Sequence, residues 1–382
     1  MLPHVAIIYL TYNGKESHID IPRCLESIRV ANYPHDRLEV ICVENPSPHG
    51  ASWPMIERDW MPRAGKDFPR LTIVKNEKDL GYSGANDVGL EVAIQHGCEY
   101  VFLLNQDTDV TPDFLKYVVE RAEADKNIAF VQSLLMLGQE QDRANSTGNK
   151  YHFLGYGYAG GFRWKKEAVD AYFLEECKRN PELEIPYFSG GGVLCRVSIV
   201  QKIGLFDAPF YMYHEDVDAC FNARAHGYKT VIEPRSVVNH YYEFSRSIKK
   251  FYWMERNRIL FVLSFYKIPT LILIALPSLC VEVASFLFAL RSGWWREKAR
   301  AWGFYFHWST WQWVARRRKR IQSERVIGDR ELLRLAESRI LFQEGGADDT
   351  GIQKDVNSSI ITDFANPVLT AIWKVIYFLI RW

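Results

Sequence analysis

Two groups of carboxylates and one histidine carry the residue types best suited to chemistry in this chain. Tyr213-His214-Glu215-Asp216-Val217-Asp218 lies between Gly204 and Gly227, with Pro209 marking a loop ahead of it. Val217, Cys220, Phe221 and Ala225 then recur at helical spacing, which puts Glu215 and Asp216 in the first turn of a helix. Carboxylates there are favoured by the helix dipole, and one of them can take the proton of an attacking hydroxyl. Acidic helix starts are also common where no chemistry occurs, so this group gains meaning only beside the others. Asp107-Thr108-Asp109 follows an apolar run at 100–104, and a strand's period of two predicts both carboxylates on one side. Such a pair can hold a hard divalent cation together with phosphate oxygens. The plainer reading is an Asx turn before a helix beginning near Thr111-Pro112-Asp113. His240 closes the run Val237-Val238-Asn239, and a lone histidine is more often structural than a ligand.

The elements that must position these groups are legible. Residues 5–10, 38–43, 71–74 and 100–104 are apolar and β-branched, and each ends in polar residues. Helical patterns separate them, including one at 84–96, so a parallel, doubly wound α/β sheet is expected. In such sheets ligands bind beyond the carboxyl ends of the strands. Tyr12-Asn13-Gly14, Glu44-Asn45-Pro46-Ser47 and Asn105-Gln106-Asp107 all fall there. The stretch from Asn76 to Asn86, with Gly81 and Gly84, lets backbone N–H groups approach an anion, although many such loops are plain connections. Gly190-Gly191-Gly192 opens a further strand and permits close backbone approach. The Gly/Tyr stretch at 155–161 offers aromatics on which a sugar could stack, or simple surface structure.

In order and content these motifs resemble family-2 glycosyltransferases, most of all the rhamnosyltransferase and galactofuranosyltransferase group, over about residues 3–260. The pairing of Asp107-Thr108-Asp109 with a later Glu215-Asp216 is the specific part. The resemblance implies a GT-A fold, a nucleotide-sugar donor, a divalent metal (Mn²⁺ or Mg²⁺) and inversion at the anomeric carbon. It implies that Thr11, Tyr12, Asn13, Glu44, Asn76, Gly81, Tyr82, Asn86, Gln106 and Asp107 bind the donor. It implies Asp107, Asp109 and His240 as metal ligands, and Asp216 as base with Glu215 beside it. Charge on Glu215 is expected to raise the base toward a useful pKa. Glu44 departs from the usual Asp, and no QxxRW motif is present, which argues against processive synthases. Tyr252 to Arg258 resembles an aromatic-Arg-Asn signature that either positions diphosphate or packs a helix.

The last third differs in kind. Residues 268–290 are apolar apart from Glu282, with Pro277 inside, which suits a span or a bent hairpin in one leaflet. Trp294, Trp295, Trp302, Trp308, Trp311 and Trp313 follow, then Arg316-Arg317-Arg318-Lys319-Arg320, a pattern expected at an anionic membrane surface. Residues 344–359 read as a linker and the end as a short amphipathic helix. The expected organisation is a catalytic domain at 1–245, a helical connection at 246–267 and a membrane-associated region at 268–382. A net charge of +1 gives no case for nucleic acid as a partner. Seven cysteines without a CxxC pair read as buried residues of a reducing compartment, not as a disulfide frame or a zinc site. The expected setting is the cytosolic membrane face, with a polyprenyl-diphosphate-linked glycan as acceptor and dTDP-rhamnose, then a UDP-hexose, as donor. Oligomeric state stays open.

Overall fold

A computed structural model describes residues 2–241, 250–340 and 364–382. The expected domain boundary at 245–246 and the linker at 344–359 lie outside these residues. The strands are β1 (Val5–Tyr12), β2 (Leu38–Asn45), β3 (Arg70–Lys75), β4 (Tyr100–Asn105), β5 (Thr108–Val110) and β6 (Ile128–Leu137). They continue with β7 (Ala144–Ser146), β8 (Asn149–His152), β9 (Gly157–Ala159), β10 (Gly192–Arg196), β11 (Lys229–His240) and β12 (Ala336–Glu337). The helices of the first two thirds are α1 (Ser17–Arg29), α2 (Trp53–Asp59), α3 (Gly81–Gln95), α4 (Phe114–Ala124), α5 (Lys166–Arg179), α6 (Val197–Ile203) and α7 (Glu215–Ala225). After them come α8 (Lys250–Phe265), α9 (Ile268–Ser292), α10 (Trp295–Gly303), α11 (Trp308–Glu324), α12 (Asp329–Leu332) and α13 (Asn366–Leu379).

The main sheet runs in the order β3-β2-β1-β4-β10-β6-β11-β5, with β7 on β6. Its first four strands are parallel, as expected. The second half is not: β10 is antiparallel to both β4 and β6, and β5 is antiparallel to β11. The sheet is therefore mixed. The chain leaves β4 through α4 and comes back at β6 one place too far across, and β10 later fills the gap from the opposite direction. Hydrophobic side chains alternate faces along the strands, so each face builds its own core. Val5, Ile7, Tyr9, Val40 and Phe102 pack with Leu25 of α1 and Phe114 of α4. Ala6, Ile8, Ile41, Val43 and Val101 face Ala85 and Leu90 of α3, and that same core runs on through Phe221, Phe261 and Phe265 to Ile321, Trp373 and Ile380.

Thus the C-terminal helices share the core of the catalytic body. Of the two arrangements open for residues 268–290, a span or a bent hairpin, the chain forms one continuous helix of 25 residues, α9, with Pro277 inside it. One side of α9 is tied down along its length. Thr270 donates to Asp329 Oδ2 and receives from Trp382 Nε1, and Ile274 is buried. Glu282 meets Arg258 and lies 3.0 Å from Lys298 Nζ. The other side exposes Ile268, Ile272, Leu276, Leu279, Val283, Leu287 and Leu290. In the basic run Arg316, Lys319 and Arg320 are exposed, but Arg317 is buried against Asp218 and Asp207, its guanidinium 2.6 Å from the latter. It serves the fold, not the surface.

Candidate active site

The carboxyl ends of β1, β2 and β4 form a rim, and side-chain amides tie it together. Gln106 Oε1 accepts from the Tyr12 backbone N–H at 2.9 Å, and Gln106 Nε2 donates to the Tyr12 carbonyl at 3.1 Å. Asn13 Nδ2 donates to the His49 carbonyl at 2.8 Å. Glu44 is almost fully buried: one oxygen accepts from the Thr11 hydroxyl, the other from the Ser52 N–H at 2.6 Å. Thr11 and Glu44 thus brace the floor under the rim, whereas Tyr12 stands exposed above it. Asn45 Oδ1 receives Asn76 Nδ2 at 2.9 Å, and Asn45 Nδ2 donates to the Gly81 carbonyl at 3.0 Å. Gly81 has φ +66, and a Cβ there would lie 2.3 Å from the Tyr211 carbonyl oxygen, so only glycine fits. Asn86 Nδ2 turns back to the Tyr82 carbonyl within α3, at 2.9 Å.

Asp107 and Asp109 do not lie as a pair on one side but meet different partners. A turn at residues 106–107 breaks the strand before β5, and the alternation with it. Asp109 faces Asn239 Nδ2 at 2.7 Å and the Tyr241 hydroxyl at 2.9 Å, with Arg23 Nε 3.9 Å away. Both its oxygens are engaged in holding β5 to the end of β11. Asp107 turns the other way, with Oδ1 3.4 Å from His240 Nε2. His240 is 5 % exposed, and its Nδ1 lies 3.2 Å from Asn145 Oδ1. An amide oxygen at Nδ1 calls for a ring N–H there and leaves Nε2 on the Asp107 side. An imidazole nitrogen beside a carboxylate in this way is a donor set that fits a shared cation, with Asn145 as the orienting partner behind the imidazole. Asn145, part of a sequon in the sequence, is buried here and was not anticipated in this role.

Glu215 and Asp216 open α7 as expected. The loop before them holds Tyr211, Tyr213 and His214 at positive φ (65, 63 and 69°), a strained conformation for residues with side chains. Asn257 holds it: its single Nδ2 donates to the carbonyls of Phe210, Met212 and Tyr213 at 2.9, 2.9 and 2.7 Å. Arg256 adds bonds to the Pro209 and Phe210 carbonyls, and His214 Nε2 meets the Gly155 carbonyl at 2.9 Å. The aromatic-Arg-Asn stretch is therefore a clamp on the loop that aims the acidic pair. Burial raises the Asp216 carboxyl well above the usual range. Glu215 is also raised, by burial first and by the Asp216 charge second, and its Oε2 has no hydrogen-bond partner among the described residues. The two carboxyls titrate as a pair, in which the first to ionise holds the other neutral.

A line of contacts joins the two halves. Tyr82 feels the charges of Glu215 and Asp216, and its hydroxyl donates to the Gly190 carbonyl at 2.7 Å. A Cβ on Gly190 would sit 2.2 Å from that hydroxyl, and one on Gly191 would sit 3.3 Å from His240 Nδ1. Gly190 is needed because Tyr82 presses on its backbone, and Gly191 is tight against His240, whereas Gly192 is confined by the core side chains Val238 and Leu135. The Gly/Tyr stretch at 155–161 is no open stacking platform: Tyr158 is buried, and Tyr156 lies under the Arg258 guanidinium at 4.3 Å.

The mixed sheet, the acidic rim and the pair of buried Glu215 and half-buried Asp216 fit the GT-A class of glycosyltransferase, and comparison with known proteins agrees. The glycosyl transferase family 2 model matches residues 6–204, and the chain belongs to that family. No curated protein matches the chain. Among solved structures, GalNAc-T7 with UDP, GalNAc and Mn²⁺ is similar at 13 % identity and TM-score 0.52, over 70 % of this chain and 49 % of that one. The chain thus spans about half the length of that relative. The mannosyltransferase PcManGT from Pyrobaculum calidifontis, in complex with GDP-Man and Mn²⁺, is similar at 17 % identity and TM-score 0.50, over 85 % of this chain and 86 % of that one.

Proposed function

We propose that this glycosyltransferase moves one sugar from a nucleotide-diphosphate donor to a lipid-linked glycan, working at a membrane surface. The observation that carries the transfer is Asp107 facing His240 beneath Asn145, linked through Gly190–Gly191 and Tyr82 to Asp216. Asp107 and His240 are the residues that would hold a divalent metal, Mn²⁺ fitting an imidazole better than Mg²⁺. When bound, the metal neutralises charge on the departing diphosphate; similar solved structures hold Mn²⁺ with UDP or GDP-mannose. Tyr12, Asn13, Asn76 and Gly81 are the residues we assign to the nucleoside, with Gln106 fixing the Tyr12 backbone. Asp216 accepts the proton of the acceptor hydroxyl as its oxygen bonds to the anomeric carbon and the diphosphate leaves with the bonding pair. Burial and mutual charge leave one member of the Glu215–Asp216 pair ionised at a time, and we assign that member as Asp216.

Our first choice of donor is dTDP-rhamnose and our second is UDP-galactofuranose or another UDP-hexose, following the motif resemblance. A polyprenyl-diphosphate glycan as acceptor follows from the exposed apolar row on α9, the exposed Trp308 and Phe306, and the exposed cations of α11. The same features support the cytosolic membrane face. A panel of nucleotide sugars, scored for metal-dependent binding and slow hydrolysis, tests the reading. Binding of one dTDP- or UDP-sugar that needs Mn²⁺ is expected. Donor binding without any turnover would instead favour a membrane-anchored nucleotide-sugar scaffold.

A further inference from the structure

At the opposite, amino-terminal end of the parallel strands, a second set of metal-ligating side chains converges. His4 precedes β1, Glu39 is the second residue of β2, and Cys98 lies just before β4. Gly97, at φ +75, turns the chain out of α3 and delivers Cys98 to this edge. Glu39 is fully buried, and the Cys98 thiol donates to its Oε1 at 2.9 Å. One nitrogen of His4 lies 4.0 Å from that oxygen and the other 3.9 Å from Cys98 Sγ. Among the described residues this is the one group of three such side chains whose ligand atoms all lie within 4.8 Å of one another. The other oxygen of Glu39 is fixed from outside, by His96 Nδ1 at 2.9 Å and Arg70 at 2.8 Å.

We propose that His4, Glu39 and Cys98 form a zinc site, with His96 and Arg70 orienting the carboxylate and solvent in the fourth position. The donor set suits the metal: one thiolate, one imidazole and one carboxylate are borderline-soft ligands for a tetrahedral divalent ion. Bonds of about 2.0–2.3 Å place ligand atoms roughly 3.3–3.8 Å apart; here one ligand atom from each residue lies within 4.8 Å of the other two, and a small turn of the partly exposed His4 ring brings one nitrogen into that range. Charge balances, since thiolate and carboxylate cancel the dication while His4 binds neutral. The balance of atoms is equally simple: Zn²⁺ enters and the Cys98 proton, now shared with Glu39, leaves to water. Access is open, because His4 and His96 are 21 % and 29 % exposed and a surface hollow lined by Cys98, Glu123 and Gln201 adjoins the thiol. The site would staple the starts of three strands whose far ends carry the donor rim.

The test uses the full chain, stripped of metal and titrated with Co²⁺. One equivalent should raise a thiolate-to-cobalt charge-transfer band in the near ultraviolet. Cys98→Ser should abolish the band, His4→Gln should weaken the Co²⁺ affinity at least tenfold, and His240→Ala should leave both unchanged. Zn²⁺ should raise the melting temperature of the parent chain and not that of Cys98→Ser. No band, or a band of equal strength in Cys98→Ser, overturns the proposal, the latter assigning it to the exposed Cys177 or Cys280. Unaltered affinity in His4→Gln overturns it as well, and that variant keeps every buried thiol should the serine variant fail to fold.

Discussion

Asp216 and Glu215 are adjacent carboxylates with unequal surroundings, and that inequality sets their roles. Burial raises both, and the charge of the first to ionise holds the second neutral. Transfer should therefore rise with pH along a limb well above the ordinary carboxylate range, because the base works only deprotonated and its folded-state pKa is raised. A profile already flat at pH 5 would show that Asp216 is not that base. Asp216→Asn should keep donor binding and lower turnover by about a hundredfold or more, as measured by steady-state transfer. Asn145→Ala should weaken apparent Mn²⁺ affinity by roughly tenfold with excess metal restoring activity. A metal titration showing an unmoved midpoint would make the Asn145–His240 contact purely structural. These residues differ in how visible they were in sequence. The Glu215-Asp216 pair and His240 announce themselves by type and position. The split between Asp107 and Asp109 does not, since it depends on a turn at 106–107 and on Asn239 and Tyr241 of a strand 130 residues onward. Cys98, His4 and Glu39 escaped for the same reason: spacing rules look for ligands close in sequence, and these come from three separate strand starts.

Among elements, α7 is held from outside itself at its leading loop and along its side. Its leading loop is strained at three residues, and Asn257 of α8 offsets this through three carbonyls. Asn257→Ala should lower kcat more than it raises KM, because the loop relaxes and the acidic pair loses its aim. An unchanged kcat with a lowered melting temperature would confine the clamp to stability. From behind, Arg317 of α11 pins Asp218 of the same helix. Arg317→Ala leaves a buried carboxylate without its partner and should cost about 3–5 kcal/mol, whereas Arg316→Ala, on the exposed side, should stay within about 0.5 kcal/mol. Denaturant melts of the two variants decide this. The sequence shows five basic residues in a row and cannot distinguish Arg317 and Arg318, which turn inward, from the other three. Strands were easier, because continuous apolar runs are conspicuous. Their order was not, because β10 inserts from far along the chain and hydrophobicity carries no sign of direction.

At the scale of the whole molecule, the catalytic sheet and the C-terminal helices share one apolar core, so the chain should not tolerate truncation after Lys267. The membrane reading is better tested by substitution on the solvent side of α9. Ile272, Leu276, Val283 and Leu287 are between 52 % and 71 % exposed, so replacing two of them with aspartate should leave the melting temperature within a few degrees. Sedimentation with anionic vesicles should be lost. Retained sedimentation would move attachment to α13 or the tryptophans around residue 308.

Hydropathy alone would draw α9 as a single pass and put everything after it across the bilayer from the donor rim. Its contacts argue for another diagram. Asp329 and Trp382 hold its first turn, while Arg258 before it and Lys298 after it both reach Glu282 near its middle. A helix about 37 Å long tied in this way to the body that carries the sheet is expected to lie along a membrane surface, and tags placed at either end of the chain should then show the same protease protection in sealed vesicles; opposite protection would restore the single pass.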